Sequence, residues 1–152
     1  MEDWELFKNF DHIGVVVKDM EEAKKFYSEL GVDNYEKSGN TSKGRTLYGE
    51  PLTAGKTDMQ MGDMGSFGIQ IAQPIDGLSV SSEFMKIKGE GVNHIAFEVD
   101  DIQKVTEEMR RRGYNIVFTS DYQEGGGEIH VDTGFGFSIQ FFEGGVIYRG
   151  RR

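Results

Sequence analysis

The chain has no cysteine and only 2 prolines among 152 residues. Disulfides, thiolate-bound metals and cysteine nucleophiles are thereby excluded. Basic residues are outnumbered, with Lys plus Arg at 17 against Asp plus Glu at 26, for a formal net charge of −9. Nucleic acid and anionic membrane surfaces both want a basic patch, so neither is expected as a partner. No run of about 18 apolar residues offers a membrane span. The first ten residues, MEDWELFKNF, lack the positive start and apolar centre of a signal peptide. These features point to a cytoplasmic, soluble protein. Hydrophobic residues at 37% and aromatics at 12% are enough for a packed core. The one excess is glycine, 21 residues, about 14% against a usual ~7%. With so little proline and no G-x-y period, that excess indicates a β-rich fold with many turns, or backbone lying close to something.

A repeat organises the chain. Residues 11–31, DHIGVVVKDMEEAKKFYSELG, align without a gap on residues 93–113, NHIAFEVDDIQKVTEEMRRRG, 82 positions later. His12 meets His94, Asp19 meets Asp101 and Gly31 meets Gly113. A second pair, Phe67-Gly68-Ile69-Gln70-Ile71 and Phe137-Ser138-Ile139-Gln140-Phe141, is offset by 70, so the first half is 12 residues longer. The polar stretch 53–65 is the expected excess. Each half reads as a strand, a helix and three strands. The first strands are 11–18 and 93–100. The helices, 20–30 and 102–112, follow the N-cap candidates Asp19 and Asp101 and end at Gly31 and Gly113. The remaining strands are expected near 33–38, 45–49 and 66–73, then 115–119, 128–132 and 136–142, with a short connecting helix at 81–88.

Successive strand residues face opposite ways. One parity collects Ile13, Val15, Val17, Ile69, Ile71, Ile95, Phe97, Val99, Ile139 and Phe141, a bulky apolar face for the helices. The other collects His12, Gly14, Val16, Gly68, Gln70, Ala72, His94, Ala96, Ser138, Gln140 and Phe142. Small residues beside polar ones describe a hollow with two histidines and two glutamines pointing in. A histidine standing by itself on a sheet is ordinarily a satisfied core or surface residue. Here both histidines and both glutamines occupy repeat-equivalent positions. Four converging N and O donors suit a divalent cation of the Co, Ni, Zn, Mn or Fe type. A hydrogen-bonded ligand cleft is the other reading.

These motifs, with GIQIAQP, GEGVNHIAFEVDDI and GFSIQFFE, resemble the vicinal oxygen chelate superfamily of glyoxalases, epimerases, dioxygenases and bleomycin-resistance proteins. The resemblance covers about residues 8–144. It implies an α+β fold: one domain over 1–152, built of two βαβββ modules at about 8–75 and 90–144. They form a curved mixed sheet with helices on its convex face. It further implies a metal held by one residue from each of four strands, here His12, Gln70, His94 and Gln140. The His, Gln, His order is most similar to methylmalonyl-CoA epimerase. Glyoxalase I, a lactoylglutathione lyase, also resembles the chain. Both imply an isomerase or lyase moving a proton beside a carbonyl or thioester, with an acyl-CoA or thiol adduct as substrate and a homodimer as assembly.

The chain departs from that pattern at its carboxylates. The last-strand ligand is a glutamate in the epimerases and Gln140 here; an amide oxygen ligates but cannot act as a base. The family's third-strand glutamate falls on or near Leu47 when aligned from Gly44. His130 and Glu128 are the candidate catalytic substitutes. His130 has the intrinsic pKa for a base near neutrality. Glu128 adjoins the glycine run 125–127, read as a mobile lid. By the 82 offset, Glu128, His130 and Asp132 pair with Thr46, Tyr48 and Glu50. Glu98 shares the parity of His94, and Glu50-Pro51 reads as a turn. Met59, Met61 and Met64 are candidates for an apolar cleft wall or its packing. Gly14 and Gly68 are read as leaving room for a ligand. Arg110–Arg112 suit a helix C-terminus, and the RGRR end is expected to fray. A non-catalytic, antibiotic-type binding protein of the same fold is the alternative that the missing carboxylates motivate. An iron dioxygenase fits worse, because that chemistry wants two histidines and a carboxylate.

Overall fold

Strand β1 (Phe10–Val16) leaves a short 3-10 turn and runs into helix α1 (Met20–Glu29). Asp19 stops the strand and caps the helix, its carboxylate accepting from the Glu22 N–H. The chain returns through β2 (Asp33–Lys37), β3 (Ser42–Leu47), β4 (Glu50–Pro51), β5 (Lys56–Met64) and β6 (Phe67–Asp76). Helix α2 (Val80–Lys88) joins the halves, opened by a Ser79/Ser82 capping box. The second half runs β7 (Gly91–Glu98), α3 (Ile102–Arg111) capped by Asp101, β8 (Ile116–Tyr122), β9 (Gly127–Asp132) and β10 (Ser138–Glu143). The structure, a computed structural model, describes residues 3–145. The arginine-rich end at 149–152 lies outside the described residues. Among those described, no helix is long and apolar enough to cross a membrane.

All ten strands form one curved, mixed sheet in the order β2-β5-β6-β1-β7-β10-β9-β8-β3-β4. The repeat is visible in the pairing. β6 runs parallel to β1 and antiparallel to β5; β10 runs parallel to β7 and antiparallel to β9. The halves meet at the antiparallel β1–β7 pair. The apolar parity packs under the helices as expected. Val15, Ile69 and Ile71 lie against Met20 of α1, and Phe97, Val99, Ile129 and Phe141 against Ile102, Val105 and Met109 of α3. Each such side chain contributes ~1.5–3 kcal/mol when fully buried. Helix α2 instead faces the hollow, where Val80 and Ser81 reach the cavity.

The first half departs from its expected strand order. Its third strand is β5, within the stretch read as a polar excess loop, and not residues 45–49. The inserted chain is the segment before it, 38–55. That segment leaves one outer edge of the sheet at β2 and joins the other, where β3 pairs antiparallel with β8. Thr46 and Thr119 meet there with Oγ1 atoms 2.6 Å apart. Leu47, expected at the third-strand site position, packs instead with Leu52 and Phe118. The structural partner of His130 in the repeat is therefore Met61, opposite Gln70 as His130 is opposite Gln140. The 82-residue pairing of Thr46, Tyr48 and Glu50 with the β9 residues does not hold. Strand β5 was hidden because Gln60 and Gly62 sit where bulky apolar residues would mark its helix side. Gly62 has no side chain because a β-carbon would press on Val32 and Tyr35. The turn before β4 is Tyr48-Gly49, both at positive φ, and Glu50-Pro51 begins the return strand.

Candidate functional site

The hollow is a cavity of about 310 Å³ on the concave face. Gln70, His94, His130, Gln140 and Glu128 line it, with Met59, Ala72 and Val16 as apolar wall. Segment 38–55 closes one side with Gly39, Asn40, Arg45 and Leu52. His12 is fully buried beside these groups, and His94, His130 and Gln140 are 5%, 5% and 3% exposed.

The two repeat histidines face each other with Nε2 atoms 3.1 Å apart. Their other nitrogens are committed. His12 Nδ1 lies 2.7 Å from Asp11 Oδ2, and His94 Nδ1 lies 2.7 Å from Asn93 Oδ1. Both oxygens only accept, so both Nδ1 atoms carry the proton. Burial pushes His12 down to about 3, against a smaller opposing pull from Glu128, and burial likewise holds His94 well below its ordinary value. Both rings are thus neutral at neutral pH, and both Nε2 atoms bear lone pairs. The 3.1 Å approach is not a hydrogen bond, since neither atom has a proton to give. It matches the span of two bonds of about 2.1 Å from one ion at about a right angle.

Two β-bulges create the arrangement. The β1–β7 register slips once at Asp11 and once, in the opposite sense, at Asn93. Each bulged residue turns onto the imidazole that follows it. Asp11 and Asn93 were missed in the sequence. Their signal is a polar residue at the same repeat position on the parity that is otherwise apolar.

The other predicted residues also converge. Glu128 Oε2 accepts from Gln140 Nε2 at 2.6 Å and lies 3.0 Å from His130 Nε2. The His130 ring stands 5.0 Å from that of His94 and 5.2 Å from Phe118, centroid to centroid. His130 Nδ1 and Gln140 Oε1 are buried and have no hydrogen-bond partner. Tyr122 is buried nearby, its hydroxyl held protonated by burial and then by the Glu128 charge. Gln70 lines the cavity and donates its Nε2 to Ser38 Oγ at 3.2 Å. Glu98 lies at the end of β7, away from the cavity lining. Among the described residues, no group of three or more His, Asp or Glu side chains is placed to hold a metal ion.

One glycine expectation changes, and the loop glycines and methionines take definite places. Gly14 leaves room for the His94 imidazole and not for a ligand, because a β-carbon there would overlap that ring. Gly125 and Gly126 lie in the turn between β8 and β9, and Gly127 opens β9; β-carbons on Gly126 and Gly127 would strike the Glu143 and Ser120 carbonyls. Met59 and Met61 face the hollow from β5, whereas Met64 packs with the convex core. Arg111 and Arg112 hydrogen-bond Glu108 within α3, outside the cavity.

Solved structures share this architecture. Methylmalonyl-CoA epimerase from Mycobacterium tuberculosis is 20% identical over 94% of this chain and 92% of its own, with a TM-score of 0.68. A variant of the Streptomyces coelicolor methylmalonyl-CoA epimerase, in complex with 2-nitronate-propionyl-CoA, is 17% identical over 93% and 98%, with a TM-score of 0.67. A hypothetical protein from Bacillus halodurans C-125 is 20% identical over 90% and 94%, with a TM-score of 0.66. At these identities the likeness is one of fold. No curated relative matches the chain. The family model that matches spans residues 11–133, and by it the chain belongs to the glyoxalase/bleomycin resistance protein/dioxygenase superfamily.

Proposed function

We propose that the chain is a metal-dependent isomerase or lyase that moves a proton beside a carbonyl or thioester, in the manner of a methylmalonyl-CoA epimerase. The observation that carries this reading is the pair of buried, neutral imidazoles with Nε2 atoms 3.1 Å apart. His12, His94, Gln70 and the unpartnered Oε1 of Gln140 are the groups that would hold a divalent ion, Co, Ni, Zn, Mn or Fe. When bound, such an ion supplies a Lewis acid that eases removal of a proton next to a carbonyl.

The chain's own groups supply the rest. Glu128 orients His130 through Nε2, which leaves the buried Nδ1 lone pair to take a proton. His130 is the base in this reading and Glu128 its partner. Met59, Val16 and Ala72 keep water from the reacting end. Among the described lining residues, the cations are Arg45 and Lys56. In a chain of net charge −9, that local reversal favours an anionic substrate. A cavity of about 310 Å³ admits an acyl group and leaves a CoA or glutathione moiety outside. The assembly is proposed to be a homodimer by analogy with the fold; the histidine pair itself comes from one chain.

The test is metal-loaded protein with (2R)-methylmalonyl-CoA in deuterated water. Deuterium uptake at the carbon between the carbonyls is the expected result. No uptake and no epimerisation with Co, Ni, Zn or Mn overturns the epimerase reading; turnover of the glutathione hemithioacetal instead assigns the lyase. A second reading, a non-catalytic binding protein, is favoured by one observation. Met61, not a carboxylate, stands opposite Gln70 on the third strand of the first half, where His130 stands opposite Gln140 in the second. A metal-free protein that binds a small aromatic or cationic ligand supports it.

A further inference from the structure

An amide in a metal site has two ends of nearly equal shape, one able to ligate and one not. Nothing in Gln140 itself selects between them. Its neighbour does. Glu128 stands on β9 opposite Phe142, and His130, two residues on, stands opposite Gln140. All four side chains lie on the hollow face, so Glu128 reaches Gln140 along the diagonal of the β9–β10 pair. A carboxylate only accepts, so the Gln140 NH2 must face Glu128 across the 2.6 Å contact. Gln140 Oε1 is thereby turned the other way, buried, unpartnered and beside His12. The same carboxylate lies 3.0 Å from His130 Nε2.

We propose that Glu128 is a positioning residue for this site. It locks the Gln140 amide with Oε1 toward the His12–His94 pair. It also supplies, one side chain removed, the negative charge that position 140 lacks. The proposal rests on the reading of the site as a metal centre. A ligand set without charged side chains then has its carboxylate in direct contact with one of the ligands, on the neighbouring strand. Outer partners of metal ligands are worth ~10–100-fold in affinity.

A charge swap tests it, read by competition titration of Zn and Co into the metal-free protein. Glu128→Gln keeps the shape and removes the charge, and is expected to weaken binding ~10–100-fold. Adding Gln140→Glu to that variant returns one carboxylate to the site, and is expected to restore affinity to within about threefold of the parent. A Glu128→Gln variant that binds like the parent overturns the proposal and leaves the metal reading intact. So does a double variant that stays as weak as Glu128→Gln, since the loss is then merely structural. A parent chain that binds no ion removes the metal reading, and the charge role with it. The amide lock is read separately from the Gln140 side-chain NH2 resonances of metal-free protein. Glu128→Gln is expected to shift them; unchanged resonances overturn the lock.

Discussion

The imidazole of His94 occupies the space where a side chain on Gly14 would be. The two residues are paired across β1 and β7, and a β-carbon on Gly14 would overlap the ring. Gly14 is not at a positive φ, so its lack of a side chain serves the histidine and not the backbone. Gly14→Ala is expected to keep the fold by circular dichroism while displacing His94. Disturbing even an outer partner of a metal ligand costs ~10–100-fold in affinity, so displacing His94 itself should lower divalent affinity by at least ~10-fold. Unchanged affinity in a calorimetric titration contradicts the assignment of His94.

Asp11 sets the tautomer of His12 as Asn93 sets that of His94. An acceptor is what each position needs, not a charge. Asp11→Asn, which retains an acceptor, is expected to change metal affinity by less than about threefold. Asp11→Leu leaves Nδ1–H without its acceptor and should cost ~10–100-fold. Equal effects of the two variants would show that charge, not orientation, is the contribution of Asp11.

The two buried imidazoles make the metal-free fold acid-sensitive. His12 is neutral in the folded state down to about pH 3, against 6.5 for an ordinary histidine. Below 6.5 the unfolded chain binds protons that the folded chain refuses. Stability is therefore full above that pH and is lost as pH falls toward 3. The limiting slope is ~1.4 kcal/mol per pH unit for each histidine. Urea midpoints of metal-free protein are expected to fall steadily from pH 7 to pH 5, and less steeply in His12→Asn. A flat profile contradicts the burial of neutral rings.

Arg45 and Lys56 line the cavity and are exposed, so the proposed anionic substrate is expected to need them for binding rather than for chemistry. Exposed charge contacts contribute ~0.2–1 kcal/mol each. Arg45→Gln with Lys56→Gln should raise KM for an anionic thioester by about 2–30-fold, with kcat within about twofold. The difference from the parent should shrink at high salt. A KM that does not move removes the anionic-substrate reading.

Gln140→Glu in the parent brings a second carboxylate against Glu128, at the place of the present 2.6 Å contact. Two carboxylates so close do not both ionise freely. The substitution is expected to raise metal affinity less in the parent than in the Glu128→Gln background. A larger gain in the parent contradicts the contact.

Much of this was legible in the sequence. The gapless repeat gave both helices, their Asp19 and Asp101 caps and the parity that separates His12, Gln70, His94 and Gln140 from the helix-packed face. Parity also put Glu128 and His130 on one face. Three things were not legible. The bulges at Asp11 and Asn93 break the alternation on which parity depends. Strand β5 shows Gln60 and Gly62 at the middle of its helix side, because Gly62 yields that space to Tyr35 and Val32, and only Met64 at its end packs there. The pairing of β3 with β8 is a long-range choice between sheet edges that no local pattern encodes. The last two together misplaced the third strand, and with it Leu47.

The most direct test of the central claim is the metal stoichiometry of the purified chain, measured by mass spectrometry after loading and desalting. The account predicts one divalent ion per chain, lost in His12→Ala and in His94→Ala while circular dichroism shows the fold retained. A parent protein that retains no ion, or variants that keep it, would contradict the claim that His12 and His94 form a metal centre.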